Sequence, residues 1–194
     1  RGAALELARQ IAEDTPMGRL LCSGAEVAGR VFGVQRIPTV KGQTIAAYDP
    51  RGIKGMGVTY ATSPQGADHT AGHTFRAPID KLQAEGQWEV SLNAQVTMAM
   101  YDTLGGCMFF GTAIGPDRDL LANLLNARYG WQITTDDLTE MGKDVLRRER
   151  NFNHAAGFGL HSDRLPRFME TEPLPPNNHV FDVSEDDLAK VAEI

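Results

Sequence analysis

The run Tyr101-Asp-Thr-Leu-Gly-Gly-Cys107-Met-Phe-Phe-Gly111 sets a carboxylate, a glycine pair and a thiol in close succession. The apolar spacing ahead of it predicts a helix, which leaves Asp102 in the last turn, against the negative end of the helix dipole. An acid there costs roughly 0.3 to 1 kcal/mol unless something offsets it. A ligand carrying hydrogen-bond donors would do so. Gly105 and Gly106 let the chain turn tightly, and Cys107 follows beside Met108, Phe109 and Phe110. In apolar company a free thiol stays protonated and inert, whereas a metal-bound thiolate is stabilised by the charge it coordinates. The spacing leaves two readings: a buried structural cysteine after a helix-ending Gly-Gly pair, or a metal ligand beside a ligand-binding acid.

A second constellation is Gly66-Ala-Asp-His69-Thr-Ala-Gly-His73. Two histidines four apart would share one helix face, as in a zinc site. No glutamate stands as general base, however, and no third ligand follows at a recognisable spacing, so zinc is weakly supported. A single catalytic histidine fits better: small residues leave room around His69, and imidazole exchanges a proton near neutral pH. The alternative is a satisfied polar residue in a turn. The tract Gly52-Ile-Lys-Gly-Met-Gly57 has the wrong glycine order for a dinucleotide fingerprint and is not a P-loop. Its glycines are expected to allow close approach of backbone to backbone, or to a flat cofactor. His154, His161 and His179 read as surface residues, Cys22 as core, and Glu185 to Asp187 as helix capping.

These groups must be positioned by helices. Leu5, Ala8, Ile11 and Ala12 keep three-four spacing, and so do Leu20, Leu21, Ala25, Ala28 and Val31 after a break at Thr15-Pro16, which predicts a helical hairpin ending at Gly33. Residues 34–44 are short and β-branched. Residues 47–57 read as irregular chain entering a helix, and 58–75 as turns and close backbone approaches. Trp88, Leu92, Val96, Ala99 and Met100 predict a helix over 87–104 that stops at Gly105-Gly106 and delivers Cys107. Further helices are expected over 117–128 and from an N-cap at Thr134 towards Arg150. Pro166, Pro173, Pro175 and Pro176 suggest that 157–183 wraps the surface without regular structure, before a short helix restarts at Ser184. The class is all-α and multihelical.

Composition bounds the rest. The 194 residues suffice for one domain or two small ones; 42% are hydrophobic, 23% charged, and the net charge is −6. No apolar run would cross a bilayer, and scattered Lys and Arg offer no basic face for nucleic acid, so neither membrane nor nucleic acid is an expected partner. Cys22 and Cys107, far apart and in dissimilar contexts, do not suggest a secreted disulfide framework; a reducing cytoplasm is expected. Arg1 is not an initiator and no leader follows it, as in a chain that begins mid-protein.

Taken in order, the motifs resemble the aldehyde:ferredoxin oxidoreductase family. Its C-terminal region carries a Tyr-Asp-Pro-Arg motif, a Lys-Gly-Met-Gly-type tract, Tyr-Ala-Thr and Gly-x-x-His. Tyr48 to Arg51, Lys54 to Gly57, Tyr60 to Thr62 and Gly66 to His69 match them here. The family's Asp-x-x-Gly-x-Cys is matched by Asp102, Gly105 and Cys107. Phe152-Asn153, Gly157-Phe158, Asp163 to Pro166 and Glu172 to Pro175 resemble the closing segment. Two departures are Gly106, where the family usually has leucine, and Ala71, where many members carry arginine; both imply an altered pterin pocket.

The resemblance implies the family's C-terminal helical subdomains, with residues 1–40 ending a middle helical domain and 41–194 forming the C-terminal one. It implies a tungsten- or molybdenum-bis-pterin centre and a 4Fe-4S cluster. Asp102 would hydrogen-bond a pterin, Gly105 and Gly106 would let the backbone pass close to it, and Cys107 would ligate the cluster. His69 would stand beside the metal as the proton-exchanging catalytic group while an aldehyde becomes a carboxylate and electrons pass to ferredoxin. The family's three other cluster cysteines, its first pterin motif and its β-rich N-terminal domain have no counterpart in these residues. The polypeptide alone is therefore expected to bind neither cofactor and to need that upstream part of the same protein as a partner. Other readings are a member reducing an aromatic thioester or an enoate, or a non-catalytic helical interaction module; homo-oligomerisation is left open.

Overall fold

A computed structural model of the chain describes residues 2–115 and 117–194. Its helices are α1 (Gly2–Ala12), α2 (Pro16–Cys22), α3 (Gly24–Val31), α4 (Lys54–Thr62), α5 (Gln87–Thr103), α6 (Phe110–Ile114), α7 (Arg118–Tyr129), α8 (Thr135–Ala155), α9 (Phe168–Thr171) and α10 (Glu185–Ala192). Strand among the described residues is confined to β1 (Thr39–Val40), paired antiparallel with β2 (Gln43–Thr44), and to an isolated bridge between Leu174 and His179. The all-α expectation holds.

Several elements end where local chemistry says they should. Thr134 and Asp137 form a reciprocal capping box at the start of α8, and Ser184 accepts from the Asp187 amide at the start of α10. Asp117 caps α7, and Gly130 closes it in the left-handed region. The expected second helix of the N-terminal hairpin is instead split into α2 and α3 where Gly24 takes φ 86°. Cys22 is exposed, not core. The physical reason is that α1 and α3 bury no residue and α2 buries only Gly18, so the apolar stripe there meets no core.

The core is built around α4, every residue of which is buried, packed on α5, with α8 against the other side of α5 and α10 covering both α4 and α5. The glycines of α4 serve side-chain entry and not backbone or cofactor contact. A Cβ on Gly55 would lie 2.8 Å from Gln87 Oε1 and Thr74 Oγ1, and one on Gly57 would overlap the Phe181 ring. Residues 58–62, expected as turns, continue this buried helix. Polar contacts inside are shared: the Thr59 hydroxyl donates to the Gly72 carbonyl (2.8 Å) and bonds Ser91 (2.7 Å), while Gln95 Nε2 donates to Thr62 Oγ1 (2.9 Å).

Segment 157–183 does more than wrap the surface. It contains α9 and supplies Leu165, Met169, Phe181 and Val183 to the core cluster that holds α4. Its anchor is Asp163, 2.7 Å from the Lys41 ammonium and 3.7 Å from Arg150. Lys41 also donates to the Ala61 carbonyl (2.7 Å) and the Ser63 carbonyl (3.1 Å) at the end of α4. Burial lowers the Lys41 pKa, and Asp163 opposes that shift.

Candidate functional site

Helix α5 ends in a Schellman turn. The Gly106 amide donates to the Tyr101 carbonyl (2.7 Å), and the Gly105 amide donates to the Asp102 carbonyl (3.0 Å). Gly105 sits at φ 72° with nothing within 4 Å of a built Cβ, so the conformation, and not crowding, requires glycine there. Gly106 is more enclosed; its Cβ would meet the Tyr101 carbonyl oxygen at 3.3 Å. This turn leaves the Asp102 side chain exposed in the last turn of α5, as the sequence predicts. Among the described residues no donor hydrogen-bonds its carboxylate. Partial burial first, and then Asp68, push its pKa up.

Cys107 is exposed and unpaired, which removes the reading of it as a buried structural cysteine. It emerges just past the turn, with Met108 half-buried beside it.

The histidine segment is a 3-10 turn, His69–Ala71, so His69 and His73 do not share a helix face. Asp68 caps the turn, accepting from the Thr70 amide (2.8 Å) and the Thr70 hydroxyl (2.6 Å), and its carboxylate lies 3.6 Å from His69 Nδ1. Around His69 stand aromatic rings. Tyr48 lies 5.8 Å from His69 and 5.1 Å from His73, and His73 lies 6.1 Å from His69 and 5.7 Å from Phe75. Burial, then His69 and Arg76, lower the His73 pKa. Below them the fully buried Tyr60 keeps its hydroxyl without a protein partner; burial, with Tyr48, Asp68 and Asp49, holds it protonated.

The two constellations meet electrostatically. Asp68, hard by His69, raises Asp102, and Asp102 in turn raises Glu149 on α8, after burial and against Arg150. An open groove of about 380 Å³ between Pro64, Gln65, Arg148, Glu149, Phe152 and Asn153 adjoins Glu149, and Asn153 ties its walls by donating to the Pro64 carbonyl (2.7 Å). A wider cavity of about 690 Å³, beside Asp163, Asp182 and Asp186, includes neither His69 nor Asp102. Among the described residues, no three His, Cys, Asp or Glu side chains group as metal ligands. Sequence reasoning missed Asp68, Tyr48 and Glu149 as neighbours, and paired His73 with His69 only on the face of a helix that the chain does not form. Asp68 had a signal, an N-capping residue immediately before His69; Glu149 had none, because only the packing of α8 on α5 brings it there.

The chain matches the family model described as aldehyde ferredoxin oxidoreductase, domains 2 and 3, over residues 1–191. It is 33% identical over 190 residues to a tungsten-containing aldehyde ferredoxin oxidoreductase of Pyrococcus abyssi, an alignment that covers 91% of this chain and 31% of that protein. The Pyrococcus horikoshii protein of the same description matches at 33% with the same coverage. That of Pyrococcus furiosus matches at 31% over 176 residues, 86% of this chain and 29% of the relative. The chain thus spans 31% of the length of the first of these relatives.

Proposed function

Because the chain belongs to the aldehyde ferredoxin oxidoreductase family, we propose that it furnishes the C-terminal share of a centre that oxidises aldehydes to carboxylates and passes the electrons to ferredoxin. One observation carries this reading. A carboxylate with no donor among the described residues, Asp102, stands where helix dipole, partial burial and Asp68 all disfavour its charge, one tight turn ahead of an exposed thiol. Donors on a bound ligand would offset that cost.

Asp102 fits the pterin, whose ring N–H groups match a carboxylate that accepts no hydrogen bond from the described residues. Cys107 fits as a cluster ligand, since its thiol is open to solvent. The donor set stops there: one thiolate cannot hold a cubane cluster, and no three-residue metal group forms among the described residues. The remaining ligands would come from outside these 194 residues. When bound, a tungsten- or molybdenum-pterin centre would supply the two-electron acceptor and an iron-sulfur cluster the one-electron exit.

The chain's own part is proton handling and orientation. With the Asp68 carboxylate 3.6 Å from Nδ1 of His69, the imidazole would exchange a proton as the aldehyde carbonyl becomes a carboxylate. Tyr48 and His73 wall the imidazole with rings, and Phe75 packs on both of them. Asp102 orients the cofactor and Gly105 makes the turn that sets Cys107 beside it.

The test is Cys107→Ser in the longer polypeptide that carries this segment together with the other cluster cysteines. Iron per chain is expected to fall and ferredoxin reduction to be lost, while circular dichroism stays unchanged. Full iron content with normal turnover in that variant would overturn the assignment.

A further inference from the structure

His73 has no part in the proton chemistry proposed above, yet its ring is fixed more firmly than that of His69. It meets Tyr48 edge-on at 5.1 Å and 86°, and Phe75 edge-on at 5.7 Å and 83°. Perpendicular rings at such separations attract through complementary quadrupoles. Tyr48 completes the arrangement by leaning on His69 at 5.8 Å and 36°. His69 itself has its side chain 39% exposed on a single 3-10 turn, with the Asp68 carboxylate 3.6 Å from Nδ1. Beyond Asp68, the contacts that bear on the orientation of His69 are the Tyr48 and His73 rings.

We infer that His73 is a positioning residue for His69: packed edge-on against Tyr48 and Phe75, which meet each other at 6.3 Å, its ring helps hold Tyr48 in place and with it forms the wall against which His69 rests. The inference rests on the reading of His69 as the proton-exchanging group. It also explains a division of labour between the two histidines. The charged groups bearing on His73 are His69 and Arg76, both from its own loop and both cationic when ionised. Tyr48, from the segment before α4, faces it as a neutral ring, and α5 approaches this loop through the uncharged Gln95, which packs on Gly72. The carboxylate of the cluster, Asp68, lies on the His69 side. Burial and these cationic neighbours disfavour a proton on His73, which leaves it a neutral spacer beside His69.

Histidine-ring NMR titration of the full chain tests this. In the unaltered chain His73 is expected to titrate below an ordinary imidazole. His69→Gln is expected to raise the His73 midpoint by roughly half a pH unit, the size of a well-screened unit-charge interaction at that range. His73→Phe keeps a ring and is expected to leave the Tyr48 resonances and the His69 midpoint in place, whereas His73→Ala moves both. Unmoved Tyr48 and His69 signals in His73→Ala would overturn the inference, and so would a His73 midpoint indifferent to His69→Gln. Should His73→Ala not fold, displacement of Tyr48 in His73→Phe decides against it. A failure of His69 as proton carrier would show instead in the turnover of the longer enzyme, with these ring measurements unchanged.

Discussion

Asp102 carries its charge where its surroundings oppose it, and that sets a sign. Its folded carboxyl titrates above the ordinary value of 3.8, so ionisation penalises the folded chain. The penalty is absent at pH well below 3.8, where the group is protonated folded or unfolded, and is complete once the pH passes the raised folded value. Asp102→Asn is therefore expected to raise the melting temperature of the chain at neutral pH, with the advantage vanishing in strong acid. Thermal melts across that range check it. A variant that melts lower at neutral pH would mean that protein partners already reward the acid, and the argument for a ligand would fail. The residue that costs the chain stability is the one assigned to the cofactor, as expected where function and not folding keeps a group in place.

At the scale of elements, the buried Lys41 joins three pieces that the sequence leaves unrelated: the β1–β2 hairpin, the carbonyl end of α4 and the 157–183 segment. Lys41→Met keeps the aliphatic bulk but leaves Asp163 with Arg150 at 3.7 Å and removes a donor from the Ala61 and Ser63 carbonyls, of which Ser63 keeps the Gly66 amide. Breaking a buried pair in this way is expected to cost about 3 kcal/mol, readable as a lower urea midpoint. The Lys41→Met/Asp163→Asn double variant is expected to lose less than the sum of the two single changes. Equal melting of Lys41→Met and the parent chain would show the pair to be incidental. The same elements show which features were legible in advance. Thr134, Asp117, Ser184 and the glycines at 105 and 130 announce helix ends because capping is local chemistry, and the α5 exit towards Cys107 was legible for the same reason. The complete burial of α4 was not, since Gly55 and Gly57 show their purpose only against Gln87, Thr74 and Phe181 from distant segments. Nor was the approach of Glu149 to Asp102, which depends on how α8 lies on α5.

Across the whole molecule burial is uneven. The core around α4 and α5 is closed, whereas Leu5 (68% exposed), Val31 (63%) and Phe32 (57%) show their apolar side chains to solvent. Helices of this length are marginal in water unless an amphipathic face is packed. We propose that the helices within residues 1–40 belong with a helical unit other than the one built on α4, whereas β1 stays with the α4 core through Val40, and this fixes an order of local stability. Where few apolar contacts form, amides open at low free energy; where the core is closed they open only with global unfolding. Hydrogen exchange on the chain is expected to label α1 and α3 orders of magnitude faster than α4 and α5, with β1 and β2 on the slow side because Lys41 is locked to α4. In the longer protein, α1 and α3 are expected to gain protection while α4 does not change. If α1 in this chain were as protected as α4, its apolar stripe would need no other partner, and a boundary near residue 40 would have no physical basis.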